Sequence, residues 1–240
     1  MRFMKKRSNQ LELVLHPHPR WGGKREGAGR KAGPERRDPH RRRSPLAARH
    51  PCHVTLKARR DVPSLRNVRI VRELERSWRE ACERGRFRLL HYSIQSDHAH
   101  LIVEAVTAHD LACGMKSLGS RLARAVNRVF QRSGPVLADR GHVHVLRMPR
   151  EVRTAIAYVL LNSRRHLAKL GRAPGRARWI DPASSGRWFL GWKRALPPAA
   201  DPPAVAEPRS WLASIGWRRA GRIDPSEVPG RGAAVGQRVR

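Results

Sequence analysis

Apolar and polar residues alternate along this chain with two different periods, and the switches between them outline its elements. Cys52-His53-Val54-Thr55-Leu56-Lys57 alternates residue by residue, which predicts a strand. From Leu65 to Glu83 the apolar residues Leu65, Val68, Val71, Leu74, Trp78 and Cys82 recur every three or four positions, one face of a helix. Phe87 to Ile94 and His98 to Val103 read as two further strands, with Gln95-Ser96-Asp97 as the turn between them. Leu111 to Phe130 is a second helix, with Met115, Leu118, Leu122, Val126 and Val129 on one side. His142 to Leu146 is a fourth strand. Pro149, well suited to a first helical turn, then opens a third helix that the pattern carries to about Leu170, before Gly171. Its buried face should hold Val152, Ile156, Val159 and Leu160, in register with Leu167.

The order β-α-β-β-α-β plus a C-terminal helix is the split βαβ, ferredoxin-like plan of the α+β class. It predicts four segments: a basic, largely disordered arm at 1–49, a folded domain at 50–171, a Trp-rich extension at 172–194 and a Pro-rich, mostly disordered tail at 195–240. The arm combines glycine with runs such as Arg41-Arg42-Arg43, which denies it a core. The tail carries seven of the 18 prolines, and only a piece around Trp211 to Trp217 is expected to dock.

Charge changes the picture from fold to partner. The 240 residues carry 51 Lys and Arg against 19 Asp and Glu, a formal net charge of +32. Residues 1–50 hold +11 of it and the other 190 residues +21, so the body is basic as well as the arm. Excess on this scale attracts polyanions through counterion release and points to nucleic acid. The apolar runs are far shorter than the roughly 18–20 residues of a membrane span, and no apolar signal core follows Met1-Arg2-Phe3-Met4-Lys5-Lys6. Cys52, Cys82 and Cys113 form no CxxC pair, which fits a reducing compartment and a cytoplasmic, nucleoid-associated location.

Candidate chemistry centres on Asp97-His98-Ala99-His100. Residues i and i+2 of a strand share a face, so His98 and His100 project side by side and can share a divalent cation. His142-Val143-His144 has the same spacing and is the rival pair, read as packing or phosphate-contacting histidines. On the third helix, Tyr158 and Asn162 are four apart and so predicted to lie on one face. A phenol is a poor nucleophile until cations polarise the phosphate it attacks, and an Asn amide oxygen is a hard ligand that would complete a His-His-Asn set. Lys116, Arg121, Arg124 and Arg128 form a basic stripe on the second helix and, with Arg147 and the arm, are the candidate DNA contacts. Trp179, Trp188 and Trp192 could stack on unpaired bases or dock on their own domain.

Ser96-Asp97-His98-Ala99-His100-Leu101-Ile102-Val103 resembles the Pro-Asn-His-x-His-hydrophobic run of the single-tyrosine HUH transposases, and Tyr158-Val159-Leu160-Leu161-Asn162 resembles their Tyr-x-x-x-Asn. Within that family the chain is most similar to the REP-associated tyrosine transposases, over about residues 50–170. Asp181-Pro182-Ala183-Ser184-Ser185-Gly186-Arg187-Trp188-Phe189 is similar to a segment that follows the domain in relatives. Asp97 stands where Asn is common, Ala99 is smaller than usual, and Ser163 replaces a frequent Pro. The resemblance implies that Tyr158 attacks single-stranded, hairpin-bearing DNA to form a 5′-phosphotyrosine, with Mg²⁺ or Mn²⁺ held by His98, His100 and Asn162. It also leaves open a homodimer or a chain that acts alone. Two other readings share the same charge: a domesticated DNA or RNA hairpin-binding protein without strand transfer, and a nuclease that uses the histidines with water.

Overall fold

Five strands form one antiparallel sheet in the order β2-β3-β4-β1-β5: β1 (Cys52–Lys57), β2 (Glu83–Arg84), β3 (Phe87–Ile94), β4 (His98–Ala105) and β5 (His142–Val145). The computed structural model describes residues 46–172 and 179–229; the arm predicted at 1–49 therefore lies almost wholly outside the described residues, as do 173–178 and 230–240. Leaving aside the two-residue β2, the four long strands keep the split βαβ order, with β1 paired to both β4 and β5. The alternation in β1 and the turn at 95–97 predicted the bounds of β1 and β3 correctly, and β4 runs two residues further than expected. The added β2 forms a hairpin with β3, closed by Gly85, whose φ of 56° is the left-handed conformation this tight turn requires.

Strand alternation gives the sheet two buried faces. Cys52, Val54 and Leu56 of β1, with Ala99, Leu101 and Val103 of β4, point to one face. There they meet helices α1 (Val68–Arg79) and α2 (Ala108–Val129) through Ile70, Leu74, Trp78, Leu118 and Leu122. Asn67 caps α1 by accepting from the Arg69 amide, and Thr107 with Asp110 forms a reciprocal capping box for α2. The buried stripe of α1 is Ile70-Leu74-Trp78, while Val68, expected on the inner face, is exposed beside the cap.

The other face receives α3 (Pro149–Leu160) and the C-terminal segment. Leu90, Ile102 and Leu146 meet Val152, Ile156, Val159 and Leu160, and then Phe189, Trp192, Leu212, Trp217 and Ile223. Pro149 starts α3, and the Glu151 carboxylate accepts the amides of Arg147 and Met148. The single helix predicted from Pro149 to Leu170 is two. Leu161 leaves helical geometry at φ −111°, ψ 19°, and α4 (Asn162–Lys169) starts at the next residue. Val159 to Arg164 are six consecutive buried residues, more than one stripe of a straight helix can cover, so the chain must turn to bury them.

Little order was expected in the Pro-rich segment outside Trp211–Trp217; residues 197–203 are mostly exposed, but from Ala204 on the segment has buried anchor points. Ala204 is fully buried, Ala206 donates to Leu89 O along the edge of β3, and the buried Glu104 carboxylate accepts the amides of Arg209 and Ser210 at 2.9 Å each. Proline excludes regular helix and strand here, not burial. α5 (Trp211–Ser214) then seats Leu212 and Ala213 on α3.

Two predictions test this packing. A Cβ on Gly114 of α2 would collide with carbons of the Phe87 ring. Gly114→Ala should therefore lower the urea midpoint, by about 1–3 kcal/mol of stability, despite its better helix propensity; an unchanged or raised midpoint contradicts the contact. His91 meets the Phe189 ring edge-on at 5.2 Å, its Nδ1 has no partner, and burial pushes its pKa down from 6.5 to about 4. Between those values the unfolded chain takes up a proton that the native ring refuses, so the stability present above pH 6.5 is lost as pH falls towards 4. His91→Phe should make the fall of the urea midpoint across that window shallower, the rest of the slope coming from other buried histidines such as His53, and an equally steep profile contradicts the assignment.

Candidate active site

The β1–β4 pairing brings together residues that are far apart in sequence. Thr55 stands directly across from His100 and Lys57 from His98, all on the face that α3 covers. His98 and His100 turn their Nε2 atoms toward each other at 3.0 Å. His98 Nδ1 donates to Asp97 Oδ1 at 2.7 Å, a bond that holds the Asp97 carboxyl below its ordinary range. His100 Nδ1 lies 3.2 Å from both Thr55 Oγ1 and His53 Nε2. Each histidine of the pair is thus held at Nδ1 and presents Nε2 to the same point.

Tyr158 descends on that point from α3. Its hydroxyl lies 3.3 Å from His100 Nε2, with the rings 4.9 Å apart and steeply inclined. His100 is 2% exposed, and burial, followed by the nearby His53, His98, His166 and Arg165, pushes its pKa down to about 2. Burial likewise takes His53 to about 4, so both rings are neutral at physiological pH. Burial pushes the Tyr158 phenol up, and Arg165, whose guanidinium sits 5.0 Å over the ring, pulls it back down.

Of the residues expected at the site, the structure gathers His98, His100 and Tyr158. Asn162 is the first residue of α4, 1% exposed, and both polar atoms of its side chain lack a partner. The break at Leu161 means that it does not continue the helical face of Tyr158, and among the described residues it bonds neither histidine. Also among the described residues, no three His, Cys, Asp or Glu side chains cluster as a cation site. A buried carboxamide with no partner and a two-imidazole pair are nevertheless donor types that suit a hard or borderline cation taking a third protein ligand from an amide oxygen.

The predicted DNA stripe lies on α2, across the sheet from Tyr158. Arg121 donates to Ser77 and Glu80, and Arg128 pairs with Glu73, so these two tie α2 to α1. Lys116, Arg124 and Arg147 are exposed. His144 stands across from His53 with its Nε2 buried and unpartnered, while His142 is exposed at the start of β5. Trp192 is buried, and Trp188 donates to Asp201 O beneath Arg187, which favours docking over base stacking; Trp179 is exposed. His53, Thr55, Arg165 and His166 were not anticipated. The alternation of β1 places 53 and 55 on one face, but only strand pairing shows what they meet, and Arg165 reaches the Tyr158 ring from beyond the break at Leu161.

Residues 49–144 match the family model described as IS200-like transposase. The match covers 96 of the 240 residues, so it is a similarity of this segment to that family. The segment contains β1 through β4 and all but the last residue of β5, with His53, Thr55, His98 and His100, and ends before α3, so Tyr158 and Asn162 lie beyond it. Similar solved structures include a REP-associated tyrosine transposase bound to a REP hairpin, at 15% identity and a TM-score of 0.45, over 62% of this chain and 82% of that one. No curated protein matches. Among the described residues no helix is long and apolar enough to cross a membrane.

The two tyrosines of the chain should both ionise above the ordinary value of 10, Tyr92 further above it than Tyr158. Tyrosinate absorbance in a pH titration should lose its earlier step in Tyr158→Phe, and that step should move higher in Arg165→Ala. A titration unchanged by Arg165→Ala contradicts the cation's placement.

Proposed function

We propose that this transposase-like protein cleaves and rejoins single-stranded, hairpin-bearing DNA through a 5′-phosphotyrosine at Tyr158. The observation that carries the reading is the approach of the Tyr158 hydroxyl to His100 Nε2 at 3.3 Å, beside His98. In the reaction the Tyr158 oxygen bonds to phosphorus, the bond to the 3′ oxygen breaks, and the strand keeps a free 3′-hydroxyl. One phosphodiester replaces another, so the step reverses when a 3′-hydroxyl attacks the phosphotyrosine, and no nucleotide cofactor is consumed.

The chain's own groups have distinct roles. Arg165 makes the phenolate less costly and places positive charge beside an incoming phosphate. Partial burial of Tyr158 limits competition from water for the covalent intermediate. His98, His100 and Asn162 would hold Mg²⁺ or Mn²⁺, and what such a cation supplies is neutralisation of the charge that builds on the phosphate oxygens. Lys116, Arg124 and Arg147, with the basic arm, would contact phosphates away from the reacting bond.

The test mixes labelled single-stranded hairpin oligonucleotides with wild type and Tyr158→Phe, in Mg²⁺, Mn²⁺ or EDTA, on a denaturing gel. Wild type should give an adduct that survives denaturant and needs the cation. Tyr158→Phe should give none while keeping its DNA affinity within about twofold, since only the attacking oxygen is lost. Cleavage that survives in Tyr158→Phe would instead make the protein a water-using nuclease. Binding without an adduct across a varied hairpin pool would make it a binding module.

A further inference from the structure

Asp97 and the pair His53–Thr55 each orient one of the two histidines, with opposite chemistry. An ionised carboxylate only accepts, so Asp97 fixes the proton of a neutral His98 on Nδ1 and leaves a lone pair on His98 Nε2. That lone pair faces His100 Nε2 at 3.0 Å, where two lone pairs would repel. With no cation between them, that repulsion is relieved when His100 carries its single proton on Nε2 and donates it to His98, the shorter of the two contacts at this nitrogen, the other being the Tyr158 hydroxyl at 3.3 Å. Its Nδ1 is then an acceptor, and the groups 3.2 Å away, Thr55 Oγ1 and His53 Nε2, must donate.

A cation bound by both Nε2 atoms demands the reverse. His100 then needs its lone pair on Nε2 and its proton on Nδ1, and the same two neighbours must accept. A hydroxyl can do either, and so can a neutral imidazole, whose two tautomers exchange donor and acceptor. An aspartate, a lysine or an apolar residue could serve only one state or neither, and would leave a buried nitrogen unpaired in the other.

We propose that His53 and Thr55 are positioning residues that let His100 exchange tautomers between its cation-free and cation-bound states, while Asp97 holds His98 in one tautomer throughout. The inference rests on the reading of His98 and His100 as cation ligands. The His53 ring is itself held in place, 5.1 Å from that of His100 and edge-on to the Tyr158 ring at 5.8 Å, so it also sets where the phenol rests.

The experiment uses the full chain and two readouts. Two-bond ¹⁵N–¹H spectra, assigned with His98→Gln and His100→Gln, report which nitrogen carries each proton. They should show His98 protonated on Nδ1 throughout, and His100 protonated on Nε2 without cation and on Nδ1 with Mg²⁺. Mn²⁺ titrations should show affinity falling about 10–100-fold in His53→Leu/Thr55→Val, as for other losses of a group that supports a metal-binding histidine. His53→Gln, whose amide both donates and accepts, should stay near wild type and so separates loss of the switch from loss of packing. A His100 that keeps one tautomer in both states, a double variant that binds Mn²⁺ like wild type, or a wild type that binds no Mn²⁺ would each overturn the inference. A wild type that switches and binds Mn²⁺ yet forms no DNA adduct would leave the inference standing and remove the strand-transfer function.

Discussion

The register of β1 against β4 is the constraint on which the rest depends. Because Thr55 faces His100 and Lys57 faces His98, the odd positions of β1 and the even positions of β4 share the face that α3 covers. A slip of one residue would turn His53 and Thr55 into the α1–α2 core and send Val54 and Leu56 to the site. That exchange would place polar groups among apolar ones and strip apolar side chains from the core, so burial and site geometry enforce the same register. The fully buried Cys52 and Val54 on one side thus hold the imidazoles in place on the other.

A second requirement is that α3 be pressed onto this face. Val152, Ile156 and Val159 supply the inner contacts, and the C-terminal segment closes over the helix with Leu212, Trp217 and Ile223. Arg153 on α3 forms a two-pronged pair with Glu227 and reaches Gly221 O and Arg222 O, which fastens the segment from outside. Tyr158 therefore approaches His100 from a helix clamped on two sides, which suits a nucleophile that must meet a phosphorus atom within a narrow range of angles. Downstream, the segment from Asp181 runs beside β3, with Ile94 donating to Ala183 O and Arg66 gripping the buried Asp181 at 2.8 and 2.9 Å.

Much of this was legible in the sequence, and the gaps have physical causes. Strand alternation gave the bounds of β1 and β3, and the His-x-His spacing picked out two residues that do meet. The turn at Leu161 was not legible, since nothing from Tyr158 to Leu167 is a helix breaker and the turn answers to burial from outside the helix. Arg121 and Arg128 looked free to meet phosphate because their partners, Glu80 and Glu73, belong to another helix. His53 and Thr55 sat in a strand whose pattern was read correctly, but alternation says which face a residue takes and not which strand lies beside it. Asp97, noted as a departure from the family pattern, proves to be the acceptor that orients His98.

The central claim is that one phenol, Tyr158, carries the DNA strand. The most direct measurement traps wild type on a single-stranded hairpin oligonucleotide, digests protein and DNA, and maps the retained nucleotide by tandem mass spectrometry. Trypsin places Tyr158 in the peptide 154–164 and Tyr92 in the peptide 89–116. The account predicts a nucleotide attached to Tyr158 in the first peptide and an unmodified second. A nucleotide on any other residue, or cleaved DNA with no nucleotide on the protein, would contradict it.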